Sequence, residues 1–153
     1  MTTAQTATSV LDPVPPGARP DAGVEVTFAA GLPGFDQLRT FMIEPMAGDL
    51  APFCRMRAVE PVGAEFIVVP AGLLFPDYRV EVDDETVERL ELRSEDAVVL
   101  TIVTLAEDDS APTANLLGPI VINRRTRAAA QVVLHGSGYQ VAVPLLPPVA
   151  AGA

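Results

Sequence analysis

The 153-residue chain has no lysine, one cysteine and one histidine. With Cys54 alone, no internal disulfide can form. His135 has neither the second histidine nor the extra cysteines that usual zinc sites contain, and no motif around it indicates a Ser-His-Asp triad. We therefore expect Cys54 in the core and His135 at the surface or satisfied within the fold, neither with a catalytic role.

Long apolar runs are also absent. The longest mainly apolar stretch, residues 66–76, is interrupted by Pro70, Gly72 and Pro76, whereas a membrane-spanning helix needs about 20 apolar residues. The first 22 residues have neither the early basic region nor the apolar region of a signal peptide. We therefore expect a cytoplasmic protein without membrane contact.

Basic residues are scarce. Ten arginines oppose 20 acidic residues, which gives a net charge of −10. A charge of this sign repels phosphate backbones, so direct binding of nucleic acid is not expected. It would attract a basic protein partner, although a net charge of this size also simply keeps a protein soluble.

The length fits one domain, and the composition distinguishes that domain from a tail at each end. Residues 1–22 are rich in threonine, alanine and proline, and predict a disordered arm. Residues 23–145 form the predicted domain, and residues 146–153, which contain Pro147 and Pro148, a flexible tail.

Short runs with strand periodicity dominate the predicted domain. Val24–Phe28 and Tyr78–Val82 alternate apolar and polar residues, and Phe66–Val69 is apolar throughout, as in a buried central strand. Near the C-terminus, the glycines around Ser137 predict a β-hairpin between Gln131–Leu134 and Tyr139–Val143.

One short helix is predicted to begin after Asp83 or Asp84, either of which can cap it, and to end near Leu92. Many short strands separated by turns indicate a mostly β fold. We predict a small antiparallel β-barrel-like domain with one or two short helices.

The densest charge lies between Glu81 and Asp96, where eight acids face Arg89 and Arg93. Three interpretations are open for this acidic segment. It is a solvated helix face, as the Glu85–Arg89 spacing suggests, or a docking face for a protein, or a cation site. The last lacks the glycine and ligand spacing of an EF-hand loop.

Three segments, in this order and spacing, resemble the flagellar assembly factor FliW family over residues 24–145. The first is Gly31–Phe35, which has the pattern of a proline-glycine turn. The second is Glu65–Pro70 followed by Leu74–Tyr78. The third, Thr113–Asn123, is the most specific, with its Ala-Asn-Leu, Pro-Ile-Val-Ile-Asn pattern.

The resemblance implies a small β-barrel-like fold, no enzymatic activity and no cofactor. FliW-like proteins bind flagellin in the cytoplasm and also bind CsrA, a small RNA-binding translational repressor. When flagellin is exported, the freed protein captures CsrA, and flagellin messenger RNA is then translated. The resemblance therefore implies a sensor of flagellin level that contacts RNA only through CsrA and is a monomer when free.

Partner-binding residues are expected in the second and third motifs and in the acidic segment. For the asparagines, closing a local turn is an equally good interpretation, and Phe75 suits core packing as well as an interface. The candidates are Phe75, Asp77, Tyr78, Asp84, Glu88, Glu91, Asn115, Leu116 and Asn123.

Two other functions remain open on the residues alone. A small β-barrel can hold a ligand in its interior. A hydrolase with carboxylate acid–base chemistry would use the abundant acids, although nothing in the sequence pairs two of them at a defined separation.

Overall fold

The computed structural model describes residues 8–11, 24–29, 37–46, 53–60, 64–105 and 111–145. The predicted turn within Gly31–Phe35 and the predicted tail, residues 146–153, lie outside the described residues, as does most of the predicted arm. The described part contains eleven strands, two α-helices and one 3-10 helix. They are β1 Thr8–Leu11, β2 Val24–Phe28, β3 Thr40–Pro45, β4 Cys54–Glu60, β5 Glu65–Pro70, α1 Ala71–Leu74, β6 Val80–Asp83, α2 Asp84–Leu90, the 3-10 helix Ser94–Asp96, β7 Ala97–Thr104, β8 Thr113–Ala114, β9 Ile120–Asn123, β10 Ala128–Gln131 and β11 Val143–Pro144.

Seven of the described strands close into a barrel. Their order is β7, β5, β4, β3, β2, β10 and β9, and β9 pairs back onto β7. The pair β2–β10 is parallel and the other pairs are antiparallel. Strands β8 and β11 extend the sheet from the far end of β7. The predicted small β-barrel with short helices is confirmed, with one parallel pair in it.

Alternation along the strands fills the barrel with apolar side chains. Phe28, Phe41, Ile43 and Met56 are fully buried, and the Phe28 and Phe41 rings meet edge to face at 5.4 Å. Each such side chain stabilises the fold by about 1.5–3 kcal/mol through removal from water. These side chains occupy the interior where a ligand-binding barrel would hold its ligand. Cys54 is buried among them, as predicted.

Thr101 is a buried polar residue whose side chain points away from the barrel interior, since it alternates along the strand with Leu100, which faces inward. It lies on β7, fully buried, and its hydroxyl has no hydrogen-bond partner within the described residues. Leaving a buried hydroxyl unpaired costs about 1–3 kcal/mol. We therefore expect Thr101→Val to raise the free energy of unfolding by about 1 kcal/mol, measured by urea denaturation. Thr104→Val, at the exposed end of the same strand, is the control and should change it by less than about 0.5 kcal/mol. A loss of stability in Thr101→Val would show that the hydroxyl is satisfied.

The predicted C-terminal hairpin is wrong. Its two arms do not pair with each other but lie against different parts of the segment 112–119. Residues 132–134 hydrogen-bond to carbonyls of that segment, and residues 140–145 bond to its other half. Gly136 and Gly138 do adopt positive φ, of 74° and 88°. The glycines thus make a turn, as predicted, but the segments on either side of it pair with residues 112–119 and not with each other.

The predicted disordered arm needs one correction. Four of its residues, Thr8–Leu11, form β1 and pair antiparallel with β6. Composition predicts disorder here because four prolines follow these residues closely and threonine and alanine precede them. Composition carries no information on the edge of β6, a distant part of the chain with which Thr8–Leu11 pairs.

Candidate protein-docking site

The chain between α1 and β6 is shaped by one helical turn and one tight turn. Helix α1 ends where the Phe75 N–H donates to the Ala71 carbonyl at 2.8 Å, because Pro76 cannot continue a helix. The Tyr78 N–H then donates to the Phe75 carbonyl at 3.0 Å. This geometry leaves Leu74 and Asp77 exposed, Phe75 half-buried and Tyr78 buried.

An open cavity of about 310 Å³ lies against this turn. We call it the aromatic cavity, and its lining is Leu74, Phe75, Pro76, Asp77, Tyr78, Leu116 and Tyr139. The structure thus brings together four of the predicted partner-binding residues, which come from two separate motifs. The walls are mostly apolar, and Asp77 supplies the one charged side chain. Such a site accommodates an apolar side chain of a partner protein.

The floor of the aromatic cavity is held rigidly. The Tyr78 hydroxyl donates to the Leu116 carbonyl at 2.5 Å, and its ring meets the Tyr139 ring edge to face at 4.8 Å. The Tyr139 hydroxyl accepts from the Arg79 N–H at 3.1 Å. The sequence motifs did not single out Tyr139. Its aromatic type next to a glycine turn was the available signal, but its partner lies 61 positions away in the chain.

Burial raises the pKa of the Tyr78 hydroxyl far above its ordinary value of about 10. The hydroxyl therefore stays protonated and keeps donating to Leu116 at every physiological pH. Since the unfolded chain ionises first, the stability that comes from this shift is complete below about pH 10 and is lost as the pH rises further.

Asn115 closes the turn that carries Leu116. Its side-chain oxygen accepts from the Leu117 N–H at 3.1 Å and from the Gly118 N–H at 2.9 Å. A Cβ on Gly118 would lie 2.9 Å from the Gln131 amide nitrogen, so a side chain there would displace the end of Gln131, which donates to the Gly118 carbonyl. Of the two interpretations of Asn115, this geometry favours the structural one, with Asn115 positioning Leu116 at the cavity wall.

Asn123 has no exposed surface. Its amide nitrogen donates to the carbonyls of Leu90 and Glu91, at 2.8 and 3.0 Å. Its amide oxygen accepts from the N–H groups of Arg125 and Thr126, at 2.8 and 3.2 Å. One side chain thereby joins the end of α2 to the β9–β10 turn. A partner cannot reach it in this fold, so the structural interpretation holds for Asn123.

Helix α2 presents the acidic segment to solvent. Its cap is Asp83, whose carboxylate accepts from the Thr86 N–H at 2.8 Å. Hydrogen bonding with Thr86, first through its side chain and then through its N–H, lowers the pKa of Asp83. The predicted residues Asp84, Glu88 and Glu91 are all exposed. Glu91 ends the helix in the left-handed conformation, with a φ of 50°.

Arginine side chains neutralise only part of the acidic segment. Arg89 pairs with Glu85 at 3.7 Å, and Arg125 pairs with Asp96 at 3.4 Å. Within the part of the chain that the structure describes, Asp84 and Glu88 make no ion pair. Their charges are therefore available to a basic partner, whereas those of Glu85 and Asp96 are already compensated.

The described residues contain no group of three or more histidine, cysteine or acidic side chains arranged to hold a metal ion. None of the helices within these residues is long and apolar enough to span a membrane.

Comparison with known proteins decides the family. The model of the family described as "FliW protein" matches residues 19–145. The chain belongs to the FliW family. The FliW proteins named "Flagellar assembly factor FliW" of Bacillus subtilis and Bacillus licheniformis are 39% and 41% identical to it over 121 residues. In both cases the alignment covers 78% of this chain and 84% of the relative.

The fold agrees with that assignment. The chain is similar to a solved structure described as "Crystal structure of the flagellar assembly factor FliW", with a TM-score of 0.73 and 31% sequence identity. The match covers 80% of this chain and 86% of the other. The resemblance seen in the three sequence motifs is thereby confirmed, and the chain is a flagellar assembly factor of the FliW type.

Proposed function

We propose that this FliW protein couples flagellin synthesis to flagellin export by binding flagellin and CsrA in alternation in the cytoplasm. Flagellin occupies the protein while it accumulates. Once flagellin leaves, the protein binds CsrA and relieves repression of flagellin translation. The role is one of protein binding, without catalysis. The family supports this proposal, and one structural observation carries it to particular residues.

That observation is the position of the two candidate surfaces along the chain. The aromatic cavity lies just before β6, at Tyr78, and the acidic helix α2 begins directly after it, at Asp84. Strand β6 has four residues, so about 13 Å separates its ends. A standard protein interface covers about 800 Å² on each partner. One partner is therefore large enough to cover the cavity and the helix together.

The two surfaces are suited to different tasks. A buried apolar anchor supplies most of the affinity of a typical interface. Exposed charges contribute about 0–1 kcal/mol per pair, but they accelerate the encounter with an oppositely charged partner. We propose that both partners insert an apolar side chain into the aromatic cavity, which makes their binding mutually exclusive. We assign the Asp84 side of α2 to the attraction of CsrA.

The acids also suggest how CsrA loses its RNA. A protein that binds RNA must present positive charge to the phosphates. An attached protein with a net charge of −10 lowers that positive potential and repels RNA without occupying the RNA site. In this proposal the effect on RNA is electrostatic and weakens with salt.

The acidic helix is tested by removing three charges. In Asp84→Asn with Glu88→Gln and Glu91→Gln, we expect association with CsrA to slow by about three- to tenfold at low salt. In 1 M salt the Debye length falls to about 3 Å, so the difference should nearly vanish. Stopped-flow mixing at the two salt concentrations measures both rates.

The control removes the same charge from the side of the barrel. Glu25→Gln with Glu44→Gln and Glu65→Gln gives the same net charge, at positions on β2, β3 and β5. It should associate with CsrA at nearly the wild-type rate. If both triple variants slow association equally, the effect comes from net charge and α2 is not a docking face.

A further inference from the structure

Strand β6 has a single strand partner among the described residues. It pairs with β1, from Thr8 opposite Asp83 to Leu11 opposite Val80, and with no strand of the barrel. The chain on either side of β6 is anchored, at Tyr78 by the hydrogen bond to Leu116 and at α2 by Asn123. Strand β1 is reached from β2 only through the segment 12–23, which holds four prolines. The edge of β6 is thus fixed, and the strand on it is attached by a long connection.

In this register, the two acidic residues of β6 stand opposite uncharged residues of β1. Val80 and Val82 are buried, whereas Glu81 and Asp83 are exposed. Val10 stands opposite Glu81 and Thr8 opposite Asp83. Opposite residues of an antiparallel pair share one face of the sheet, where opposite charges attract. A strand with basic residues in these two places would match β6 better than β1 does.

A second cavity lies beside the outer face of β6. Its volume is about 520 Å³, and it is open to solvent. Arg79, Glu81 and Asp83 line it from the β6 side, and residues 132–137 with Tyr139 line it from the other. The apolar side chains of Val132 and Val133 in this lining suit the aliphatic part of a long basic side chain, whose charged end would reach the two carboxylates.

We propose that β1 is an exchangeable strand, and that the edge of β6 accepts in its place an extended segment of a partner protein with basic residues at alternate positions. The segment adds a strand to β6 and directs its basic side chains over the cavity, opposite Glu81 and Asp83. Its other side chains stand opposite Val80 and Val82 and are apolar. The N-terminal arm is then an internal competitor that sets how readily this partner binds. This inference does not depend on the identity of flagellin or CsrA as partners.

The test is a binding assay with a fluorescent peptide of about eight residues in which arginine and valine alternate. It compares the full wild-type chain with Ser9→Pro plus Val10→Pro. Because neighbouring strand residues point their N–H groups to opposite edges, one of the two prolines must remove a donor to β6. We expect the double-proline variant to bind the peptide about three- to tenfold more tightly, which corresponds to an arm that is in place for about 70–90% of the time. Thr2→Pro plus Thr3→Pro, outside β1, should bind like the wild type.

Three further measurements identify the charge preference of the segment and the strand on which it binds. A peptide that alternates glutamate and valine should bind at least about tenfold more weakly, and Glu81→Gln should weaken binding of the arginine peptide. Peptide addition should shift the amide NMR signals of Glu81 and Val82. Equal affinity of the wild type and the double-proline variant would reject the competition by β1. Absence of binding to both proteins, or equal binding of the two peptides, would reject β6 as an edge for basic strands.

Discussion

Replacing Asn123 by alanine is expected to lower the free energy of unfolding by about 3–5 kcal/mol, a large part of the 5–15 kcal/mol that stabilises a typical domain. Its four hydrogen bonds are all to backbone groups. Removal leaves four backbone groups without this partner, one of them in a buried bond and three in part-buried bonds, at about 1 kcal/mol or more for each. The helix end and the β9–β10 turn should loosen together, because this one side chain holds both.

Urea denaturation of Asn123→Ala measures the loss, and Asn115→Ala is the matched comparison. Asn115 is half-buried and accepts two backbone hydrogen bonds. We therefore expect Asn115→Ala to lower the free energy of unfolding by only about 1–2 kcal/mol. If Asn123→Ala kept wild-type stability but lost affinity for a partner, Asn123 would be interfacial and its assignment as a structural residue would be wrong.

The second large effect is expected at the aromatic cavity. Leu74→Ala combined with Phe75→Ala removes two apolar walls of the cavity that receives the partner's anchor. Truncation of residues at such a site typically costs at least about 2 kcal/mol, which is about 30-fold in affinity. Because the proposed anchor is common to both partners, flagellin and CsrA should be weakened alike, mainly through faster dissociation. Titration calorimetry with each partner measures the change.

Two controls separate the loss of an anchor from a loss of fold. Leu105→Ala combined with Val141→Ala removes apolar side chains that are 58% and 61% exposed and are not part of the cavity lining, and it should leave both affinities unchanged. Phe75 also packs against the core, so the thermal midpoint of the cavity variant must show that it is folded at the assay temperature. A folded cavity variant with wild-type affinity for both partners would show that the aromatic cavity does not bind them.

Local patterns predict strands such as β2 and β5 because their signal is contained in neighbouring residues. The alternation in Val24–Phe28 and the apolar run in Phe66–Val69 each specify a strand and a buried face, and both are observed. The helix that follows Asp83 was likewise predicted, since capping and the preference for acids in the first turn act within a few residues.

Sequence patterns do not reveal which segments pair when they lie far apart in the chain. The glycines around Ser137 indicate a turn, but not that the segments beside it bond to residues 112–119. Strand β1 forms only because β6 offers an edge some 70 positions later in the chain. Closure of the barrel by the parallel β2–β10 pair is a property of the whole fold as well.

For the candidate site, the motifs supplied residue types and the fold supplied their neighbours. Phe75, Tyr78 and Leu116 were predicted from resemblance, and the structure gathers them around one cavity with Tyr139. Asn123 stands in the same motif as Leu116, yet it does not line the cavity, and its side chain instead bonds the end of α2 and the β9–β10 turn. The difference arises because β9 lies within the closed barrel, whereas the turn before it reaches the cavity wall.

Flagellin and CsrA are proposed to exclude one another on this protein, and a reciprocal titration measures this exclusion. CsrA is titrated into the free protein and into its flagellin complex, and flagellin is titrated into the free protein and into its CsrA complex. Binding linkage requires that each partner weaken the other by the same factor. We expect a factor of more than about 100, at or above the usual upper range of coupling between sites, because both partners are proposed to share the aromatic cavity. A stable ternary complex with unchanged affinities would contradict it.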